Sequence, residues 1–204
     1  MTFSIRPANS GDAEFASSLI HLSMGELADY LFGGVHLSVE EILSGLFLLE
    51  KNRFSWKVME IAEWNGKPVG ILVSYPGWEF SDRELAIGMG LFKVCGFWDA
   101  MRLSVRALSI ASGVETLRNE YYLAHMAVSP DFQGRGIGTG LLAHAEIKAQ
   151  QIGLYKCSLI VDTENLSALR LYQRSGYQVV FTKTYSGKVA QAHTGYHRML
   201  KELF

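Results

Sequence analysis

Apolar residues along this chain recur in two periods, and the switches between them predict a run of strands and helices. Phe3-Ser4-Ile5-Arg6, followed by Pro7, alternates as a short first strand, and Asp12 is placed to N-cap a helix from Ala13 to about Leu31. Gly33-Gly34 ends that helix, and Ser38-Val39-Glu40-Glu41 has the capping-box pattern that opens a second one through Leu49. Lys57–Trp64 and Val69–Tyr75 flank Asn65-Gly66, the strongest two-residue hairpin signal. From Trp78 to about Leu117 the pattern is mainly helical. Strand character returns in Tyr121–Val128 and Lys156–Val161, each followed by a helix, the first over Leu141–Gln150 and the second from Asn165 to Gly176. Gln178–Thr182 and Gly195–Lys201 are the closing strands, with the polar segment Lys183–Thr194 as the loop between them. The order implies one α/β domain over residues 1–204, with a mixed sheet of about seven strands flanked by helices and a helical insertion between the third and fourth strands.

Bulk properties narrow the function classes. The 204 residues suffice for one well-buried core, and with 49% apolar and 19% charged residues the composition is that of a globular protein. A net charge of −1 supplies no basic field for nucleic acid. The greasiest stretch, Leu85–Ile110, is interrupted by Lys93, Asp99, Arg102 and Arg106, so no membrane span is expected. The first residues lack a basic segment followed by an apolar one, so no export signal is expected either. Cys95 and Cys157 fit two reduced thiols in a cytoplasmic protein better than a disulfide framework. His193 and His197 are set in strand or loop sequence rather than on a helix that would align them, and no metal site is expected.

The chemistry concentrates in Ser129-Pro130-Asp131-Phe132-Gln133-Gly134-Arg135-Gly136-Ile137-Gly138-Thr139, between a predicted strand and a predicted helix. Such a loop presents successive backbone N–H groups at the positive end of a helix dipole, which suits a phosphate. No Lys follows the glycines as in a nucleoside-triphosphate loop, and the dinucleotide fingerprint fails in both frames, at Thr139 or Leu141. Gln133-Gly134-Arg135-Gly136-Ile137-Gly138 instead matches Gln/Arg-x-x-Gly-x-Gly/Ala. Downstream, Asn165-Leu166-Ser167-Ala168-Leu169-Arg170-Leu171-Tyr172, running on to Gly176-Tyr177, forms a second signature. Together, in this order, they resemble the acetyl-CoA loop and the following Asn-x-x-Ala-x-x-Leu-Tyr helix of the GNAT superfamily of N-acetyltransferases.

That resemblance implies acetyl-CoA as cosubstrate, with its pyrophosphate on the N–H groups of Gln133, Gly134, Arg135, Gly136, Ile137, Gly138 and Thr139. It further implies that the strand ending at Val128 splays from its parallel neighbour, so that Met126, Ala127 and Val128 meet the pantetheine arm through main-chain atoms. Asn165 and Ala168 are implied contacts on the same molecule, and Tyr172 is the implied proton donor to the departing thiolate. The resemblance implies as well that the first two helices and their connection wall one side of the acceptor site, and the Lys183–Thr194 loop is expected near the acceptor entrance. The acceptor is expected to be a primary amine of a small molecule or peptide, reached by direct transfer in a ternary complex. The alternative is a non-catalytic acyl-CoA-binding or sensing protein on the same fold. Strict alternation puts Tyr122 and Ala124 on the face of Met126 and Val128, and His125 with Leu123 on the other. That parity leaves the general base unassigned, with Tyr122, or Glu120 through water, as candidates. The insertion over 78–117 is too apolar for a solvated connector, and serves as a wall of the acceptor pocket or as a homodimer surface; the wall is the favoured reading.

Overall fold

A computed structural model describes residues 2–110, 114–186, 190 and 194–204. Its centre is a seven-stranded sheet: β1 (Phe3–Pro7), β2 (Met59–Trp64), β3 (Lys67–Pro76), β4 (Tyr121–Val128), β5 (Lys156–Asp162), β6 (Gln178–Thr184) and β7 (Gly195–Glu202). Their spatial order is β1-β2-β3-β4-β5-β7-β6, antiparallel except for the β4–β5 pair. The expected α/β architecture is therefore the observed one. The β2–β3 hairpin turns on Asn65 (φ 51°) and Gly66 (φ 75°), the pair of left-handed residues that a tight two-residue turn requires. The connection between β6 and β7, expected as a loop, lies mostly outside the described residues, as does His193.

Helices cover both faces. On one lie α1 (Ala13–Met24), α2 (Glu26–Phe32), α3 (Val39–Leu48), α4 (Phe80–Cys95) and α5 (Phe97–Ile110); on the other lie α6 (Ile137–Gln151) and α7 (Leu166–Arg174). The single helix expected over Ala13–Leu31 is thus two. Gly25 breaks it at φ 56°, ψ −141°, a backbone conformation foreign to a right-handed helix. Asp12 does not cap α1 with its side chain; Asn9 caps a preceding 3-10 turn, and Asp12 closes the reciprocal half of that capping box while pairing with Arg6 at 2.8 Å. Ser38 does begin α3 as expected, its hydroxyl accepting from the Glu41 N–H and Glu41 reaching back to the Ser38 N–H.

The sheet separates two apolar cores. Ile42, Leu43, Leu46 and Phe47 of α3 pack with Ile61, Ile71 and Tyr75 on the α1–α5 side. Leu141, Leu142 and Ala145 of α6 pack with Leu72, Leu123 and Leu159 on the other. Both cysteines are buried free thiols, and burial pushes the Cys157 thiol up to about 12. No helix among the described residues is long and apolar enough to cross a membrane.

Two irregularities in β4 shape everything that follows. Against β3, Val73 pairs with His125 and Ser74 with Leu123, so Ala124 is an extra residue: a β-bulge. Against β5, parallel pairing covers only Tyr121–Leu123 with Cys157–Leu159. Beyond Leu123 the two strands part, leaving a wedge-shaped gap at their C-terminal ends.

Candidate active site

The gap opens into a cleft of about 570 Å³. One wall is the glycine loop. Gly134 and Gly136 have φ of 73° and 81°, and a Cβ at either would stand in open space, so the left-handed backbone rather than crowding calls for glycine here. Gly136 is the N-cap of α6 and has no side chain to satisfy the first N–H groups, and no acidic residue occupies the first turn. Those donors, at the positive end of a helix of 15 residues, are available to an anion. At Gly138 the reason is steric: a Cβ would come within 3.0 Å of Leu171 Cδ2.

The opposite wall is α7. The Asn165 side-chain oxygen caps this helix, accepting from the Ala168 N–H at 3.1 Å and the Ser167 hydroxyl at 3.0 Å. Tyr172 follows two turns on, 8% exposed, beside Tyr177 at a ring separation of 6.1 Å. Its hydroxyl makes no hydrogen bond among the described residues, and burial raises its pKa to about 12, so it stays protonated at neutral pH. It is a donor held at the cleft.

Sequence-expected residues thus converge from three segments: Met126, Ala127 and Val128 of β4; Gln133, Gly134, Gly136, Ile137, Gly138 and Thr139 of the loop; and Asn165, Ala168 and Tyr172 of α7 all border the cleft. Arg135 does not. Its guanidinium turns away, donating to the Asp131 carbonyl at 3.2 Å and lying 5.0 Å over the Phe132 ring. Only its backbone belongs to the loop.

The bulge corrects the parity read from the sequence. Ala124 packs on the α1–α5 core and His125 stacks on Phe54 of that core at 5.3 Å, whereas Leu123, Met126 and Val128 belong to the α6–α7 side. One extra residue has put two successive side chains, Ala124 and His125, on the face of Tyr122. His125 borders the cleft, its Nδ1 3.2 Å from the Ser23 hydroxyl of α1. That hydroxyl donates to the Ile20 carbonyl, so the imidazole is the donor at Nδ1 and its buried Nε2 is left without a partner. Burial first, and the Arg53 charge second, lower its pKa to about 3 and keep the ring neutral.

Neither earlier candidate for the base borders the cleft. The Tyr122 hydroxyl is buried and donates to Glu115, and Glu120 is buried against Arg198. Arg53 completes the first network, with Nη2 2.8 Å from Glu115 and Nε 2.6 Å from Glu84. These groups tie the insertion to β4 and to the segment after α3. Among the described residues, none of the insertion borders the cleft.

Ser23, Asp162 and Arg174 are among the cleft residues that the sequence reading does not reach. Asp162 ends β5 and accepts from the Glu164 N–H at 2.8 Å. Leu159 and Val161 point into the α6–α7 core, so by alternation Asp162 projects to the side of Ala124 and His125. Arg174 had a signal in its helical spacing from Ser167 and Leu171. Ser23 had none, being 102 residues from the histidine it meets.

Comparison with known proteins fits this geometry. The model of the Acetyltransferase (GNAT) family matches residues 29–177. Mycothiol acetyltransferase of Propionibacterium freudenreichii is 34% identical over 65 residues, 32% of this chain and 20% of that protein. The ribosomal protein bS18-alanine N-acetyltransferase of Salmonella typhimurium is 32% identical over 79 residues, 39% of this chain and 53% of that protein. The chain thus spans about half or less of the length of these curated relatives. A crystal structure of an acetyltransferase superposes with a TM-score of 0.74 at 26% identity, covering 98% of this chain and 100% of that one. A Staphylococcus aureus Mu50 N-acetyltransferase shares the fold at a TM-score of 0.77 and 20% identity, covering 97% and 99%. With the family model spanning the loop, the splayed strands and the tyrosine helix, the chain belongs to the GNAT family of acetyltransferases.

Proposed function

We propose that the protein is an acetyl-CoA-dependent N-acetyltransferase that acylates a primary amine by direct transfer in a ternary complex. One observation carries this reading: open N–H donors, a strand edge without a neighbour and a protonated buried tyrosine meet in one cleft. The residues present fit the cosubstrate. Backbone donors from Gln133 to Thr139 hold its pyrophosphate, the freed edge at Met126–Val128 pairs with its amide-bearing arm, and Asn165 and Ala168 flank it on α7. Acetyl-CoA supplies the activated acyl thioester; the chain supplies position and protons. Tyr172 donates its proton to the leaving sulfur.

An amine enters as its ammonium form, and freeing it near pH 7 costs about 4 kcal/mol for an ordinary pKa. On the acceptor face Asp162 takes that proton, directly or through water, while His125 is too hard to protonate and serves as a fixed polar wall held by Ser23. The acceptor is a small molecule or a peptide, and a cytoplasmic setting suits both the cosubstrate and the two free thiols.

The test is acetyl-CoA binding by calorimetry, with Gly136→Glu beside the wild type, followed by thiol release with a panel of amines. Binding lost in the variant and amine-dependent thiol release support the proposal. Binding without turnover on any amine would favour the acyl-CoA-sensing alternative, and no binding by folded wild type would overturn both.

A further inference from the structure

The outer face of the insertion has no counterpart in the chemistry above. On α4, Leu85, Met89 and Phe92 are spaced four and three apart and are 68%, 56% and 40% exposed. On α5, Trp98, Met101, Val105 and Leu108 are spaced three, four and three apart and are 78%, 43%, 61% and 75% exposed. Phe97 bridges the helices, 5.7 Å from Phe92 and 5.3 Å from Trp98. The inward faces are already satisfied: Ala86, Leu91, Ala100 and Leu103 are buried. Each helix therefore carries a second apolar stripe, at the spacing of a coiled-coil seam, facing outward.

With a large side chain offering ~150–250 Å², this face exposes roughly 900 Å² of apolar surface, above the ~300–600 Å² of the largest patch on a typical monomer. It reaches the ~800 Å² that each partner contributes to a standard interface. The seam spacing asks for helices opposite, and the charges on α4 say whose. Asp82 stands near its N-terminus and Lys93 near its C-terminus, so two copies of α4 crossing antiparallel set each Asp82 towards the other copy's Lys93. Gly88 lies midway between them in sequence, and a Cβ there would stand in open space among the described residues. It lets two helix backbones approach. A lipid surface fits less well, because a helix lying in the interface carries a polar face rich in Lys and Arg. The charges flanking this face are mixed, Asp82 against Lys93 and Arg102.

We propose that the α4–α5 hairpin is a homodimer interface, in which two copies of this chain pair across a two-fold axis near Gly88 into a four-helix arrangement. Sedimentation of the wild type over micromolar concentrations is expected to show a species of twice 22.7 kDa. Trp98→Glu and Leu85→Glu, both surface changes, should each weaken self-association more than ~30-fold while acetyl-CoA affinity, the check on folding, is unchanged. Hydrogen exchange on the wild type alone should slow in α4 and α5 as concentration rises. A wild type that stays at 22.7 kDa overturns the proposal. So does a dimer indifferent to both substitutions, and so does a monomer that binds phosphatidylcholine vesicles through this face.

Discussion

The two faces of the sheet are built by different rules. On the α6–α7 face, most of the packing side chains and the whole glycine loop come from one continuous stretch, Tyr121 to Tyr177, in which strand, loop and helix follow one another. On the α1–α5 face the packing residues come from segments up to about a hundred positions apart, and the cleft residues there, Ser23, His125 and Asp162, meet only because the sheet brings them together. The first face tolerates little change in local geometry, since its donors are main-chain groups. The second can exchange side chains while the fold stands. Under the proposed function, the difference teaches where acceptor choice can vary beside one cosubstrate loop: on the face assembled from distant segments.

Substitutions can break or sharpen this contrast. The largest effect is expected from Tyr172→Phe, which should lower turnover by ~10²–10⁴-fold while acetyl-CoA affinity is retained, as read by thiol release beside calorimetry. Equal losses in both would make Tyr172 a packing residue. Next, Leu46→Ala on the opposite face should cost ~2–5 kcal/mol of stability, because its side chain is fully buried. Chemical denaturation checks this, and a cost under ~1 kcal/mol would show that α3 is looser than its packing implies. Asp162→Asn should reduce kcat by ~10–100-fold with acetyl-CoA affinity retained; an unchanged kcat would remove Asp162 from proton transfer.

The pH dependence of stability probes His125. Its folded pKa lies near 3, below the usual histidine range, so the unfolded chain binds the proton more readily. Its contribution to stability is therefore complete above about pH 6.5 and is lost progressively as pH falls towards 3. His125→Gln should flatten that part of the curve. The smallest effect is expected from Ser38→Ala, about 1 kcal/mol for loss of a cap, read as a small fall in Tm.

Much of the fold was legible because its signals are local. The Asn65-Gly66 turn, the Ser38 capping box and the glycine loop each state their geometry within a few residues. The helix break at Gly25 was missed because a lone glycine inside a helical pattern is compatible with either outcome. Arg135 shows the same limit at the site: its position in the loop was plain, but the direction of its side chain depends on Phe132 and Trp64 nearby.

By itself the sequence determined the order of elements, the glycine loop and the tyrosine helix, because backbone preference and helical period act over short spans. Tertiary structure alone decided which face His125 occupies, that Asp162 and Ser23 border the cleft, and that the insertion turns an apolar face outward. Alternation is a rule of uninterrupted strands, and a single bulged residue reverses it. Where β3 and β5 pair with β4 therefore settled what the eight residues of that strand could not.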